Sequence, residues 1–131
     1  AVKGDGGLNY IYLRYADVLL MKAEAFNELN QTDSALANLN KVRTRARNSF
    51  ASGNPPADLL PNVTITDQNL LRKAIQHERR VELAQEFHRY FDLMRWGKQV
   101  AEEALGNGFS YETNRYFPIP QNEIDANEAI Q

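Results

Sequence analysis

The sequence predicts an all-α fold, and three kinds of signal carry this prediction. Apolar residues recur at helical spacing through the segments 10–48 and 67–106. Residues that form turns or cap helices stand at 30–33 and at Asp67, where helices are expected to begin. Most of the glycines and prolines fall outside these two segments. The chain is therefore expected to consist of helices joined by irregular connections.

The first helix is expected over 10–29, after a glycine-containing lead-in over 1–8. Apolar side chains cover most of its circumference, which indicates packing on more than one side. Its narrow polar strip consists of Arg14, Asp17, Glu24 and Glu28, with Met21 among them. The remaining chain offers few partners for so much apolar surface. We therefore expect some of this surface to face a missing domain, and the chain on its own to leave that apolar face exposed or to cover it by self-association.

The second helix, expected over 32–48, completes a helical hairpin. Its apolar residues form a stripe on one side, and Thr32 or Asp33 caps its start. The small residues Ala23 and Ala35 would allow the two helices to approach closely. Asn30 tolerates the left-handed backbone that such turns often need. The segment 10–48 is similar to a single tetratricopeptide unit.

The rest of the chain is expected to hold a second helix pair and an extended tail. The segment 49–66 contains glycine and three prolines and is predicted to be a long loop. Helices follow over 67–85, from about 87 to 97, and over 98–105. The tail over 107–131 is predicted to be mostly extended because prolines interrupt it, with one short turn over 121–127. We expect residues 1–131 to form a single domain.

Charged residues lie inside an apolar helical face between residues 70 and 85. A projection of 100° per residue places Glu78, Glu82 and Gln85 on a face made by Leu70, Leu71, Ala74, Ile75, Val81 and Ala84. A buried carboxylate without a partner costs roughly several kcal/mol, so each needs an arginine or other donors. Arg79, Arg80, Arg89 and Arg95 are the nearest donors along the sequence. We expect a structural ion-pair network of Glu78, Arg79, Arg80, Glu82, Arg89, Asp92 and Arg95.

The composition excludes several classes of function. The formal net charge of −2 provides no electrostatic basis for binding nucleic acid. No apolar run approaches the roughly 20 residues of a membrane-spanning helix. The chain has no cysteine, which excludes disulfides and thiolate chemistry. No cofactor is expected.

No arrangement of residues indicates catalysis. The run from His77 to Val81 begins like the HExxH motif of zinc proteases, but valine replaces the second histidine and cannot bind metal. His88 has no cysteine and no serine nucleophile near it in the sequence. We therefore predict no metal site and no enzymatic activity.

Aromatic residues are the candidates for ligand binding. They are Trp96, Phe109, Tyr111, Tyr116 and Phe117. Exposed aromatic rings can stack on sugar rings, but aromatic side chains more often pack in cores. The case for exposure is better for the four residues of the tail, but such residues are more often hydrophobic plugs that hold an extended tail against a helical body. Trp96 shares a helical face with charged neighbours, which favours packing.

Three ordered segments resemble the C-terminal region of the SusD/RagB family. The first is YLRYADVLLMKAEA over 12–25. The second contains ERRVELA over 78–84, then Arg89, then DLMRWG over 92–97. The third is YFPIP over 116–120, followed by Glu123, Ile124 and Asn127. Together they span nearly the whole chain.

The resemblance implies a function that the chemistry of the residues does not show. It implies a non-catalytic, glycan-binding component of nutrient uptake, lipid-anchored at the cell surface on the outer membrane of Bacteroidetes. Its partners would be oligosaccharides and a SusC-like TonB-dependent transporter. Members of the family are several times longer than this chain, so oligosaccharides should bind the chain weakly or not detectably. The alternative is a free-standing tetratricopeptide-like module that binds other proteins.

Overall fold

Helices alone make up the regular structure of the described residues, 11–49, 56, 58–127 and 129, in this computed structural model. The helices are α1 (Tyr15–Glu28), α2 (Thr32–Asn48), α3 (Gln68–Glu82), α4 (Arg89–Trp96), α5 (Lys98–Leu105), α6 (Tyr111–Asn114) and α7 (Gln121–Ala126). The all-α prediction is confirmed. None of these helices is both long enough and apolar enough to cross a bilayer.

The chain divides into two compact units, Ala1–Gln85 with α1 to α3 and Glu86–Gln131 with α4 to α7. The division falls in the connection between α3 and α4, where Gln85 and Phe87 both have left-handed backbone, with φ of 65° and 64°. Such values end a helix, since non-glycine residues rarely adopt them inside one. That the whole chain behaves as a single domain stays a prediction.

Local signals place several helix ends where the sequence indicates. The helix α2 covers 32–48, but Gln31 occupies its N-cap position without a side-chain cap hydrogen bond, so the prediction that Thr32 or Asp33 caps it is wrong. The Asp67 carboxylate caps α3 by accepting a hydrogen bond from the Leu70 amide at 2.9 Å. The turn between α1 and α2 contains Asn30 in left-handed backbone, with φ of 57°. The predicted start of α1 near residue 10 is wrong, because α1 begins at Tyr15 after an extended Arg14.

A short helix in the tail is a further departure from prediction. The segment 107–131 was expected to be mostly extended, yet α6 forms over 111–114. The Ser110 carbonyl accepts hydrogen bonds from the amides of Thr113 and Asn114, and the Asn114 side chain accepts one from the Ser110 amide. This reciprocal closure stabilises a single turn before the prolines begin. The short turn expected over 121–127 is confirmed as α7.

The core of the first unit lies where α1, α2 and α3 meet. Its fully buried members include Leu20, Ala23, Ala35, Leu39, Leu71 and Ile75. Ala23 and Ala35 are both completely buried, which agrees with the close approach predicted for the hairpin. Each buried leucine or isoleucine contributes roughly 1.5–3 kcal/mol. The likeness of this hairpin to a tetratricopeptide unit stays a prediction.

The buried face of α3 is narrower than the helical projection predicts. Leu71, Ile75, Glu78 and Arg79 are buried, at spacings of four, three and one residues. Three members of the predicted face, Leu70, Val81 and Ala84, are exposed, and so is Gln85. The predicted face includes every apolar residue of this segment, but contacts with α1 and α2 bury only one stripe of the helix.

The apolar surface of α1 is partly exposed. Large side chains at and before its start are exposed, and they are Ile11, Tyr12, Leu13 and Tyr15, with Met21 farther along. Asp17, predicted to lie on the polar strip, is buried instead, because Arg79 of α3 binds it. Self-association of the chain through the exposed surface stays a prediction.

Side chains of α2 hold the end of the long connection against the first unit. The Asn40 amide donates to the Val63 carbonyl at 2.9 Å and accepts from the Val63 amide at 2.8 Å. Arg43 and Arg47 donate to the carbonyls of Pro61 and Leu60. The segment 58–66 contains no helix or strand, as predicted for the loop, while residues 50–55 and 57 lie outside the described residues.

An exposed ion pair between α1 and α3 makes a small contribution that depends on pH. The Arg72 guanidinium donates two hydrogen bonds to Glu28, at 2.6 and 2.7 Å, and thereby lowers the pKa of that carboxyl below its ordinary value of 4.5. Since the pKa is lowered in the folded state, the stabilisation is complete above the ordinary value and is lost as the pH falls through the lowered one.

Replacing Glu28 with glutamine should therefore cost less than about 1 kcal/mol at pH 7, because solvent screens this pair. The difference between wild type and Glu28→Gln should shrink as the pH falls below the ordinary carboxyl value of 4.5, since the stabilisation is lost on passing the lowered pKa. Urea unfolding of both proteins at pH 7 and at acid pH measures it. A difference that grows at acid pH would contradict this assignment.

Candidate functional site

The carboxylates of α3 bind arginines of the first two helices. Glu78 lies 2.5 Å from Arg43 of α2. The Glu82 carboxylate accepts hydrogen bonds from Arg14, which also donates to the Glu82 carbonyl at 2.5 Å, and from Arg45. The sequence had suggested Arg79, Arg80, Arg89 and Arg95 as donors, and that assignment is wrong for both carboxylates. The partners come from other helices because the buried stripe of α3 faces α1 and α2.

A second buried ion pair crosses the same unit. Arg79 of α3 donates to the Asp17 carboxylate of α1 at 2.7 Å, and both side chains are almost completely buried. Arg79 is thus bound to an acid of α1, whereas its neighbour Arg80 is exposed. Buried pairs of this kind hold helices in one register and do not form a ligand site by themselves.

The remaining charged residues of the predicted network belong to the second unit. The Arg95 guanidinium lies 2.9 Å from the Asp92 carboxylate, one helical turn away on α4. Arg89 and Arg95 also place their guanidinium carbons 5.7 and 5.1 Å from the centre of the Trp96 ring. These distances are typical of cation–π contacts. Trp96 is half-buried within this charged group, which favours the packing role over ligand stacking.

Tyr111 also has a packing role. Its hydroxyl donates to the Met94 carbonyl at 2.8 Å, and its amide donates to the Glu102 carboxylate at 3.2 Å. The Arg115 guanidinium lies 5.3 Å from the Tyr111 ring and 4.6 Å from the Tyr116 ring. Tyr111 therefore fastens α6 to α4 and α5, and its polar end is already occupied.

The other three aromatic candidates meet in one open groove. Phe109, Tyr116 and Phe117 line a cavity of about 740 Å³ in the second unit. Its other lining residues are Tyr90, Gly108, Thr113, Asn114, Pro118 and Ile119. Phe117 is 76% exposed and Tyr116 is 66% exposed, so both rings are accessible. The rings of Tyr116 and Phe117 are thus not plugs buried in a core, whereas Phe109 is half-buried.

Tyr90 organises this aromatic groove, although it is not among the candidates predicted from the sequence. Its ring centre lies 5.6 Å from that of Phe117, and its hydroxyl donates to the Asn114 carbonyl at 2.6 Å. The hydrogen bond connects α4 to the end of α6 and so positions the segment that carries Tyr116 and Phe117. The sequence shows a tyrosine at the start of α4, but it does not show the hydrogen bond, because the partner Asn114 lies 24 residues away.

The aromatic groove suits a ligand that has both apolar faces and hydroxyl groups. Rings of Tyr116 and Phe117 offer flat apolar surface, and Thr113 and Asn114 add a hydroxyl and an amide to the lining, whose oxygens also hydrogen-bond within α6. A few polar groups among aromatic side chains are typical of sites for small ligands. Sugar rings combine these two surface types.

No group of residues in the described part of the chain suits a metal. Clusters of three or more histidine or acidic side chains are not found among residues 11–49, 56, 58–127 and 129. His77 and Val81 are exposed, while the Glu78 carboxylate between them turns inward to Arg43. The partial HExxH run therefore serves helix packing.

Comparisons with known proteins identify one family. The model of the SusD family matches residues 2–114. Three proteins of Formosa agariphila are similar to the chain: SusD-like protein P2 is 36% identical over 96% of the chain, P25 is 38% identical over 93%, and P38 is 36% identical over 79%. The chain spans 25%, 23% and 20% of their respective lengths. No solved structure matches the chain.

Proposed function

The chain belongs to the SusD family, and from this membership we propose that it is part of a non-catalytic glycan-binding component of nutrient uptake at the bacterial outer membrane. The family match over 2–114 includes the helices α1 to α6. The observation that supports glycan binding in this chain is the groove of exposed aromatic rings beside amide and hydroxyl groups.

The proposal extends to a partner and a location. In the whole protein, a lipid anchor would hold the component at the cell surface, and a SusC-like TonB-dependent transporter would receive the oligosaccharide. The lipid anchor and the transporter are inferred from the family alone, because the chain covers only a fifth to a quarter of the length of its relatives. The aromatic groove would be one contact for the glycan, with further contacts elsewhere in the protein.

The absence of catalysis is part of the same proposal. The two histidines, His77 and His88, lie in different units, and Glu78 and Glu82 are each held by arginines. Carboxylates engaged in this way support packing better than acid–base chemistry. The rival proposal, a free-standing module for binding proteins, rests only on the tetratricopeptide likeness of α1 and α2, and a single hairpin offers little concave surface.

Replacing Phe117 with alanine should weaken glycan binding by about fivefold to tenfold, because it removes a stacking ring from the groove. Wild type is expected to bind weakly, with a Kd of about millimolar, since one open groove buries little of a ligand. Chemical-shift titration with oligosaccharides of starch, mannan and host-type glycans measures the binding and identifies the preferred sugar.

Phe87 offers a matched control for this experiment. It belongs to the same unit and is as exposed as Phe117, but it does not line the aromatic groove. Phe87→Ala should therefore bind the preferred glycan like wild type. Equal losses in the two variants, or an unchanged affinity in Phe117→Ala, would contradict a glycan site in this groove.

A further inference from the structure

A second pocket lies in the first unit, between the start of α1 and the last turns of α2. Its volume is about 470 Å³, which lies within the range of sites for small ligands. Ala16, Leu19 and Val42 supply apolar surface, and Tyr15 adds an exposed aromatic ring. This α1–α2 pocket is separate from the aromatic groove, with which it shares no residue.

The charged residues that line the α1–α2 pocket are all cationic. They are Arg14, Lys41 and Arg45. Glu82 binds both arginines and so balances part of this positive charge. Lys41 and Arg45 stand one helical turn apart on α2, where like charges repel and destabilise the helix. An anion placed between them would relieve this repulsion.

The same two cations border a second cavity along α2. This cavity, of about 540 Å³, is lined by Lys41, Arg45, Asn40, Thr44, Asn48 and Ser49, with Ala37 as its apolar member. Lys41 and Arg45 therefore line both cavities. A chain of sugars could occupy both cavities with an acidic group at their junction.

We propose that Lys41 and Arg45 form an anion-binding subsite for an acidic oligosaccharide, whose carboxylate or sulfate lies between the two cations while a ring packs on Tyr15 and Leu19. The inference rests on the proposed function, since it names the class of glycan. Lys41 and Arg45 are both exposed, so a ligand in water can reach their charged ends. Arginine and lysine donate strong, charge-assisted hydrogen bonds to such oxygens.

A titration with matched ligands tests this subsite. The probes are a trigalacturonate, its methyl ester, which has the same size without the charge, and a sulfated galactose oligosaccharide with its desulfated form. The chain should bind at least one acidic probe roughly tenfold more tightly than its neutral counterpart. The preference should weaken with added salt, because screening reduces attraction between exposed charges.

Variants of Lys41 separate a specific subsite from general attraction. Lys41→Gln should reduce the acidic preference by about fivefold to tenfold, and Lys41→Arg should keep most of it. Lys73→Gln removes an exposed lysine of α3 that does not line the α1–α2 pocket, and should change nothing. Circular dichroism verifies that each variant is folded.

The outcomes distinguish this inference from the proposed function. Phe117→Ala should weaken the binding of neutral glycans in the aromatic groove and leave the Lys41-dependent preference for acidic probes intact. Equal binding of acidic and neutral probes, or equal losses in Lys41→Gln and Lys73→Gln, would overturn the anion subsite and leave the aromatic groove standing. If the wild-type chain binds none of the glycan probes, both the anion subsite and the aromatic groove are contradicted.

Discussion

Replacing Asp17 with alanine is expected to lower the free energy of unfolding by about 3–5 kcal/mol. The Asp17 and Arg79 side chains are 5% and 4% exposed, and they lie 2.7 Å apart. Removing the carboxylate takes the buried ion pair with Asp17 from a guanidinium that lies in the packed interface of α1 and α3. The cost of that buried charge exceeds the lost hydrogen bond, since solvent cannot reach it. Chemical denaturation followed by circular dichroism measures the change.

Two further variants separate the buried charge from loss of packing. Arg80→Ala changes the exposed neighbour of Arg79 and should cost less than about 0.5 kcal/mol. The double variant Asp17→Leu with Arg79→Met removes both charges and keeps similar volume, and should recover most of the loss. A cost for Asp17→Ala below about 1 kcal/mol would show that Arg79 finds another partner or reaches water.

Replacing Glu78 with alanine should cost about 3 kcal/mol, near the lower end of the range for a broken buried pair. Its partner Arg43 is 14% exposed and also donates to the Pro61 carbonyl, so part of its charge remains satisfied. The loss should also loosen the segment near Pro61, because Arg43 joins that segment to the carboxylate of α3. Amide hydrogen exchange at Leu60, Asn62 and Val63, the neighbours of Pro61 that carry an amide hydrogen, measures this second effect.

His77→Ala is the control for Glu78, since His77 is the preceding residue on α3 and its side chain is exposed. Its cost should stay below about 0.5 kcal/mol. If Glu78→Ala costs no more than His77→Ala, the carboxylate contributes nothing to the packing of α3 on α2.

Several features of the fold follow from signals that act within one or two helical turns. Asp67 caps α3 through the amide three residues later, and Asn30 adopts the left-handed backbone that the sequence indicated between α1 and α2. Ala23 and Ala35 are small enough to predict the close contact of the hairpin. The same local reasoning failed at α6, where a reciprocal bond between Ser110 and Asn114 outweighed the extended preference of the following prolines.

The candidate site was only partly accessible from sequence. Phe109, Tyr116 and Phe117 could be selected because aromatic residues in a proline-rich tail are candidates for exposure. Their arrangement with Tyr90 could not be predicted, since the hydrogen bond that joins α4 to α6 depends on how the chain turns between these two helices. Charged neighbours along the helix already favoured packing for Trp96, whereas Tyr111 looked equivalent to the other aromatic residues of the tail until its neighbours in space were known.

The sequence by itself established that the chain is helical, where most helices begin and end, and which family it resembles, because caps, spacing and motifs are read from neighbouring residues. The partners of the buried charges required the tertiary structure. Arg43 meets Glu78 across 35 residues, and Arg14 meets Glu82 across 68. A carboxylate on a buried face needs a hydrogen-bond donor, but the sequence alone offers every nearby arginine as a candidate. Packing of α3 against α1 and α2 selects the arginines that can reach it, and this choice depends on the positions of all three helices at once.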